Sequence, residues 1–317
     1  MFGLKPDWTL ELPERYLTLE NYEGGVARWC PGCGDHGVLA AVKRICRDEQ
    51  IPTEKVVAVS GIGCASRFPH YMHAYGFHGL HGRAFPVACG IKARRPDLAV
   101  WVATGDGDCC SIGAGHWLHA IRYNMDMTVM LFDNNIYGLT KKQTSPTTPV
   151  GLATNTHPRG AWLPPLNVVE TVLGFTNVSF VARTVDWNAQ HLYDTLRAAY
   201  EHRGTSFVHI LQRCPAYTAH IFEEARNDPD RVALLEHEHG VPIDAAVARV
   251  FANRRPHDPA DLAGARALAG ESEKILLGLF YRNPDAPGYE AFTYEGLDTP
   301  PERRIVAVEA ELDRFAI

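Results

Sequence analysis

Five short apolar runs rich in Val, Ile and Phe punctuate the first two thirds of the chain: residues 56–59, 98–103, 128–132, 180–181 and 207–211. Apolar runs of this kind mark strands buried on both faces, the habit of parallel sheets covered by helices. Between them lie patterns of helical period: Val38, Leu39, Val42, Ile45 and Cys46, then Trp117, Leu118 and Ile121, then Leu192, Leu196 and Tyr200. Strand and helix alternating over roughly residues 30–215 predict an α/β fold with a doubly wound, mostly parallel sheet.

The 317 residues, 46% of them hydrophobic, can bury one large core. Residues 25–217 are expected to form the main domain, preceded by an N-terminal arm at 1–24. After Pro215 the character changes: the charged stretch IFEEARNDPDR leads to a helix-like segment at 243–251 and a Pro- and charge-rich tail. Residues 218–317 are therefore expected to be a C-terminal extension that contacts a partner.

No apolar run approaches the ~18–20 residues needed to span a bilayer, so no membrane helix is expected. The net charge of −6, with Lys and Arg scattered, gives no footprint for a nucleic-acid backbone. The opening residues lack a basic segment followed by an apolar one, and a cytoplasmic location is expected. In a reducing compartment the eight cysteines point to metal ligation or buried thiols and not to disulfides.

Cys30 and Cys33 form a Cys-x-x-Cys in WCPGCGDHG, and no second pair follows. A zinc ribbon would repeat the pair, a thioredoxin-like site needs only one, and an iron–sulfur site can recruit distant single cysteines. Cys64 and Cys214 each follow a predicted strand, and Pro215 after Cys214 matches a habit of cluster cysteines in bacterial ferredoxins. Structural zinc on the same four cysteines is the competing reading. Cys46, Cys89, Cys109 and Cys110 are expected to be buried packing residues.

The run at 98–103 leads into Thr104-Gly105-Asp106-Gly107-Asp108, and Asn134 follows the next predicted strand 28 residues after Asp106. Ligands of open α/β sheets bind beyond the carboxyl ends of the strands, so Asp106 and Asn134 on neighbouring strand ends would face one ion. Magnesium favours a few such oxygen ligands completed by phosphate and water. This Gly-Asp-Gly and distant Asn resemble the thiamin-diphosphate-binding motif. The resemblance implies Mg²⁺ ligation by Asp106, the Asn134 side chain and the Ile136 carbonyl.

Taken together, WCPGCG at 29–34, SGIGC at 60–64, LHGRAFPVACG at 80–90, GDGD at 105–108 and NNIYGLTKKQTSPT at 134–147 resemble the β subunit of 2-oxoacid:ferredoxin oxidoreductases. The resemblance runs from about residue 25 to 217. It implies one [4Fe–4S] cluster held by Cys30, Cys33, Cys64 and Cys214. It also implies thiamin diphosphate contacts from Ile62, Gly63, Cys64, Ala65, His81, Gly105, Gly107, Asp108 and Leu139. The glutamate that activates the cofactor is expected on an α subunit, so no catalytic residue is assigned in this chain and an (αβ)₂ assembly is expected.

The implied activity is coenzyme A-dependent oxidative decarboxylation of a 2-oxoacid, with electrons leaving through the cluster to ferredoxin, or the reverse carboxylation. Thr140 and Lys141 of LTKKQ resemble the substrate loop of 2-oxoglutarate and broad-specificity members, whereas pyruvate-specific members tend toward Thr-Gly-Gly-Gln. Lys142 replaces the usual glycine, which leaves open which lysine faces the substrate. The main alternatives are a pyruvate or broad-specificity member, and an iron–sulfur electron carrier without chemistry of its own. A decarboxylase of the acetolactate type would lack the cluster cysteines and be much longer.

Overall fold

Strands β3 (Ala99–Gly105) and β4 (Met127–Asp133) run parallel, with Gly105 opposite Phe132. This register brings the ends of both strands, and the loops that follow them, to one edge. The computed structural model describes residues 16–294 and 301–315. Residues 1–15 of the expected arm, and 295–300 and 316–317 of the expected extension, lie outside the described residues.

Beside β3 lies β1 (Val56–Ser60), with β2 (Tyr75–His78) at the edge; beyond β4 come β6 (Thr205–Leu211) and β5 (Phe180–Val185). The sheet then continues through β9 (Ile275–Arg282) to β7 (Val232–Glu236) and β8 (Arg254–Pro256), giving the order β2-β1-β3-β4-β6-β5-β9-β7-β8. Every pairing is parallel except β5 with β9.

Alternate residues of the central strands enter opposite cores. Val57, Val59, Val100, Val102, Val129 and Leu131 pack on one face, beneath α2 (Ala84–Arg94), α3 (Ala114–Tyr123), α4 (Val168–Leu173) and α8 (Leu262–Ala269). Val56, Ala58, Trp101, Ala103, Met130 and Phe132 pack on the other, beneath α1 (Asp35–Asp48) and α5 (Ala189–Glu201). Both sides of each strand are thus apolar, as expected of buried parallel strands.

The sheet does not stop at residue 217. A third core joins Val185 and Leu211 of the main strands to Val232, Leu234 and Leu277, with Phe222, Val247 and Phe251 from the intervening segments. Residues 232–282 therefore belong to the sheet and are not a loosely attached tail, because an antiparallel strand closes directly onto β5. Past them lie α9 (Tyr289–Tyr294) and α10 (Pro301–Asp313); Ile305, Val306, Val308 and Leu312 of the latter are exposed.

Phe280 on β9 is wholly buried, whereas Phe292 is 84% exposed. Phe280→Ala is expected to lower unfolding stability by about 3–5 kcal/mol in urea titrations, since it leaves a cavity in a filled core. Phe292→Ala is expected to stay within about 0.5 kcal/mol. Equal effects would mean that β9 is not integral to the fold.

Candidate active site

A cleft opens at the carboxyl ends of β1, β3 and β4. Its walls include Ile62, Gly63, Cys64 and Ala65 after β1, His81 after β2, Gly105 to Asp108 after β3, and Asn134, Ile136, Leu139 and Thr140 after β4. All the residues expected to meet thiamin diphosphate and its cation are thereby brought to one place. Phe132, Tyr137 and Gly138 complete the lining.

Asp106 is 3% exposed and Asn134 is buried beside it. The Thr147 hydroxyl lies 2.8 Å from Asp106 Oδ2, and Ile136 N donates to Asn134 Oδ1 at 3.2 Å. No Lys, Arg or His forms an ion pair with Asp106 among the described residues. Burial first, and the nearby Asp133 charge second, push the Asp106 carboxyl well above the usual range. A divalent cation would offset both effects, so this pair of oxygen donors fits magnesium.

Asp108 holds the cleft together. Its carboxylate accepts hydrogen bonds from Ile62 N at 3.0 Å, Gly82 N at 2.7 Å and the Thr104 hydroxyl at 2.8 Å, and it meets His81 Nδ1. This buried group joins the loops after β1 and β2 to the end of β3, and its side chain is committed to that task. His81 keeps Nε2 for the cleft. Gly107 must be glycine, because a Cβ there would lie 2.2 Å from the Tyr137 ring, whose hydroxyl donates to the Gly107 carbonyl at 2.8 Å.

Cys64 and Cys214 lie together behind the same loops. A methyl group on Gly138 would lie 3.5 Å from Cys64 Sγ and 4.0 Å from Cys214 Sγ. Trp29 Nε1 donates to the Cys64 carbonyl at 2.7 Å, and Gly34 N to the Arg213 carbonyl at 3.3 Å, so the Cys-x-x-Cys loop is stitched to both other cysteine loops. Gln212 Nε2 donates to Cys33 Sγ at 3.3 Å, and the Thr218 hydroxyl donates to the Asn134 carbonyl at 2.8 Å, tying the Cys214 loop to the cation side.

Burial pushes the Cys33 thiol far up and the Cys64 thiol up to about 12, and the neighbouring Asp35 and cysteines add to both. Thiolates in such surroundings need a cationic centre to exist. Among the described residues no three His, Cys, Asp or Glu side chains gather as ligands of one ion. Four thiols are the donor set of either a [4Fe–4S] cluster or a structural zinc ion.

Cys46 and Cys109 sit in the two main cores, and Cys89 and Cys110 pack against one of them. Thr140 lines the cleft, but Lys141 is exposed and neither it nor Lys142 is part of the lining. Both lysines adopt left-handed backbone, with φ of 78° and 64°. A glycine at position 142 would adopt that conformation without strain.

Sequence reasoning missed Asp35, whose carboxylate is fully buried and, among the described residues, has only the neighbouring Cys33 thiol to turn to. Burial raises it to about 7, with the Cys33 thiol acting in the opposite direction. It also missed Thr147 and Tyr137, although both stand inside the NNIYGLTKKQTSPT motif.

Residues 52–210 match the family described as thiamine pyrophosphate enzyme, C-terminal TPP binding domain. The chain is 45% identical over 216 residues to the 2-oxoglutarate oxidoreductase subunit KorB of Mycobacterium tuberculosis, covering 68% of this chain and 58% of that protein's length. It is 35% identical to subunit beta of 2-oxoacid:ferredoxin oxidoreductase 2 from Aeropyrum pernix over 90% of both chains. A solved chain of 2-oxoglutarate:ferredoxin oxidoreductase from Magnetococcus marinus, with 2-oxoglutarate, coenzyme A and succinyl-CoA bound, superposes with a TM-score of 0.78 at 34% identity, covering 92% of this chain and 96% of that one. A thiamin diphosphate domain laid over this cleft, and a β subunit matched along nearly its whole length, establish that the chain belongs to the β-subunit family of the 2-oxoacid:ferredoxin oxidoreductases.

Proposed function

We propose that the chain, paired with an α subunit, carries out coenzyme A-dependent oxidative decarboxylation of 2-oxoglutarate to succinyl-CoA, and its reversal, with electrons leaving through a [4Fe–4S] cluster to ferredoxin. The observation that carries this reading is the approach of Cys64 and Cys214 to Gly138, whose neighbours Asn134, Ile136 and Leu139 line the cation cleft. Cofactor and electron acceptor then share one loop. In this reading the cytoplasm, an (αβ)₂ assembly and the α subunit's glutamate complete the machinery.

Asp106, the Asn134 side chain and the Ile136 carbonyl would hold Mg²⁺, which would supply positive charge against the diphosphate. The backbone of Ile62 to Ala65, Gly105, Gly107 and Leu139 would approach the cofactor, Asp108 keeps those loops in place, and His81, held by Asp108, lines the diphosphate side of the cleft. Bound thiamin diphosphate supplies the nucleophilic carbon and the electron sink that decarboxylation of a 2-oxoacid requires. Cys30, Cys33, Cys64 and Cys214 hold the group that takes electrons singly. Thr140 and Lys141 meet the substrate's far carboxylate.

A broad-specificity 2-oxoacid reading has one observation in its favour, the position of Lys141 outside the cleft lining. The two readings differ in how much the lysine matters.

Cys214→Ala is expected to abolish ferredoxin reduction and lower iron content, whereas Cys109→Ala keeps both; the reverse outcome would show that the ligands are misassigned. Asp106→Ala is expected to remove the gain in thiamin diphosphate affinity that Mg²⁺ gives the wild type in calorimetric titrations, because the diphosphate loses its bridging cation. A gain of wild-type size in that variant would rule out Asp106 as a ligand. Lys141→Ala is expected to raise KM for 2-oxoglutarate roughly ten- to hundredfold and to leave that for pyruvate nearly unchanged, the range a charged hydrogen bond supports. Equal changes for the two acids favour the broad-specificity reading.

A further inference from the structure

Behind the cation ligands, three ionisable residues on three adjacent strands are joined end to end. Arg183 on β5 is the register partner of His209 on β6, and its Nε donates to His209 Nδ1 at 3.2 Å. That fixes the imidazole proton on Nε2, which donates to Asp133 Oδ2, at the end of β4, at 2.8 Å. Asp133 Oδ1 accepts from Asn135 N and Nδ2, both at 3.1 Å, and lies 2.7 Å from the Thr147 hydroxyl that also reaches Asp106. His209 and Asp133 are nearly inaccessible to solvent.

We propose that Arg183 and His209 are positioning residues for the cation site: they lock Asp133, whose hydrogen bonds to Asn135 and Thr147 set the loop that presents Asn134 and Ile136. The inference rests on the cation reading given above. Asp133 is the residue immediately before Asn134, so any rotation of its carboxylate moves the turn from which the Asn134 side chain and the Ile136 carbonyl project. The turn bond from Asn135 N and the Thr147 bond pull on one oxygen of Asp133. The His209 bond holds the other, so the carboxylate has one satisfied orientation.

Among the described residues Arg183 forms no ion pair of its own with a carboxylate; its guanidinium lies 5.3 Å from the centre of the Phe280 ring, and its Nε bonds the histidine. A chain of buried polar groups is costly where apolar side chains would pack as well. Its connection to the loop that carries the ligands gives it a role that core packing alone lacks. Magnesium demands near-ideal octahedral geometry, whereas calcium tolerates irregular coordination. A loop held less firmly should therefore lose Mg²⁺ preferentially.

The test titrates thiamin diphosphate into the full-length chain, in the assembly in which it purifies, with Mg²⁺ and separately with Ca²⁺. His209→Phe is expected to weaken Mg²⁺-supported binding roughly ten- to hundredfold, and Ca²⁺-supported binding several-fold less, for the loss of a hydrogen bond to a charged group. His209→Gln, whose amide can both accept and donate, is expected to recover most of the Mg²⁺ preference. Equal losses with both cations, or a Gln variant no better than Phe, overturn the proposal. Where His209→Phe yields no folded protein, Arg183→Met leaves the imidazole in place and is expected to shift the Mg²⁺ to Ca²⁺ ratio in the same direction; an unchanged ratio overturns the proposal equally. Failure of the wild type to bind with either cation overturns the cation reading itself, and this inference with it.

Discussion

The parallel register of β3 and β4 is the constraint on which the site depends. Gly105 stands opposite Phe132, so Asp106 and Asn134 emerge from adjacent strand ends within one residue of the same level. Parallel strands cannot be joined by a tight turn, and the helix that must connect them returns the chain to start the next strand from the far edge. Successive loops therefore collect at one edge. β1 and β6 flank this pair, and they deliver Cys64 and Cys214 to the same edge.

Concentrating acids and thiols in this way is unfavourable unless something answers their charge. Burial and the Asp133 charge raise the cost of ionising Asp106, and Cys33 and Cys64, both half-buried, lie near Asp35. The structure answers part of this internally. Asp108 satisfies its charge with donors from two loops and a strand, and Asp133 does so with an imidazole and an amide side chain. Asp106 has no cationic side chain paired with it among the described residues, and a buried carboxyl with a shifted pKa in a cleft marks a candidate functional site.

How far this was legible in the sequence varied with what each residue needs. β1, β3, β4, β5 and β6 announce themselves because burial on both faces demands apolar runs. β2 does not, since Tyr75–His78 is exposed along its whole length at the sheet edge. The run at Ile275–Arg282 is as apolar as any strand, yet its charged and Pro-rich surroundings disguise it as part of a tail. Asp106, Asn134, Cys64 and Cys214 stand out in the sequence because carboxylate, amide and thiol groups after predicted strands invite a ligand reading, and the structure places them in neighbouring loops after β1, β3, β4 and β6. Arg183 and His209 do not, because they become partners only through the pairing of β5 with β6, which no local spacing encodes.

The central claim is that the four cysteines and the cation cleft form one site, with an iron–sulfur cluster beside the cofactor. Crystals of the chain prepared anaerobically with Mg²⁺ and thiamin diphosphate, measured at wavelengths on both sides of the iron absorption edge, test it directly. The account predicts an iron anomalous peak enclosed by Cys30, Cys33, Cys64 and Cys214, with diphosphate density against Asp106 and Asn134 in the adjoining cleft. Scattering that rises only at the zinc edge, or iron located at Cys109 and Cys110, would contradict it.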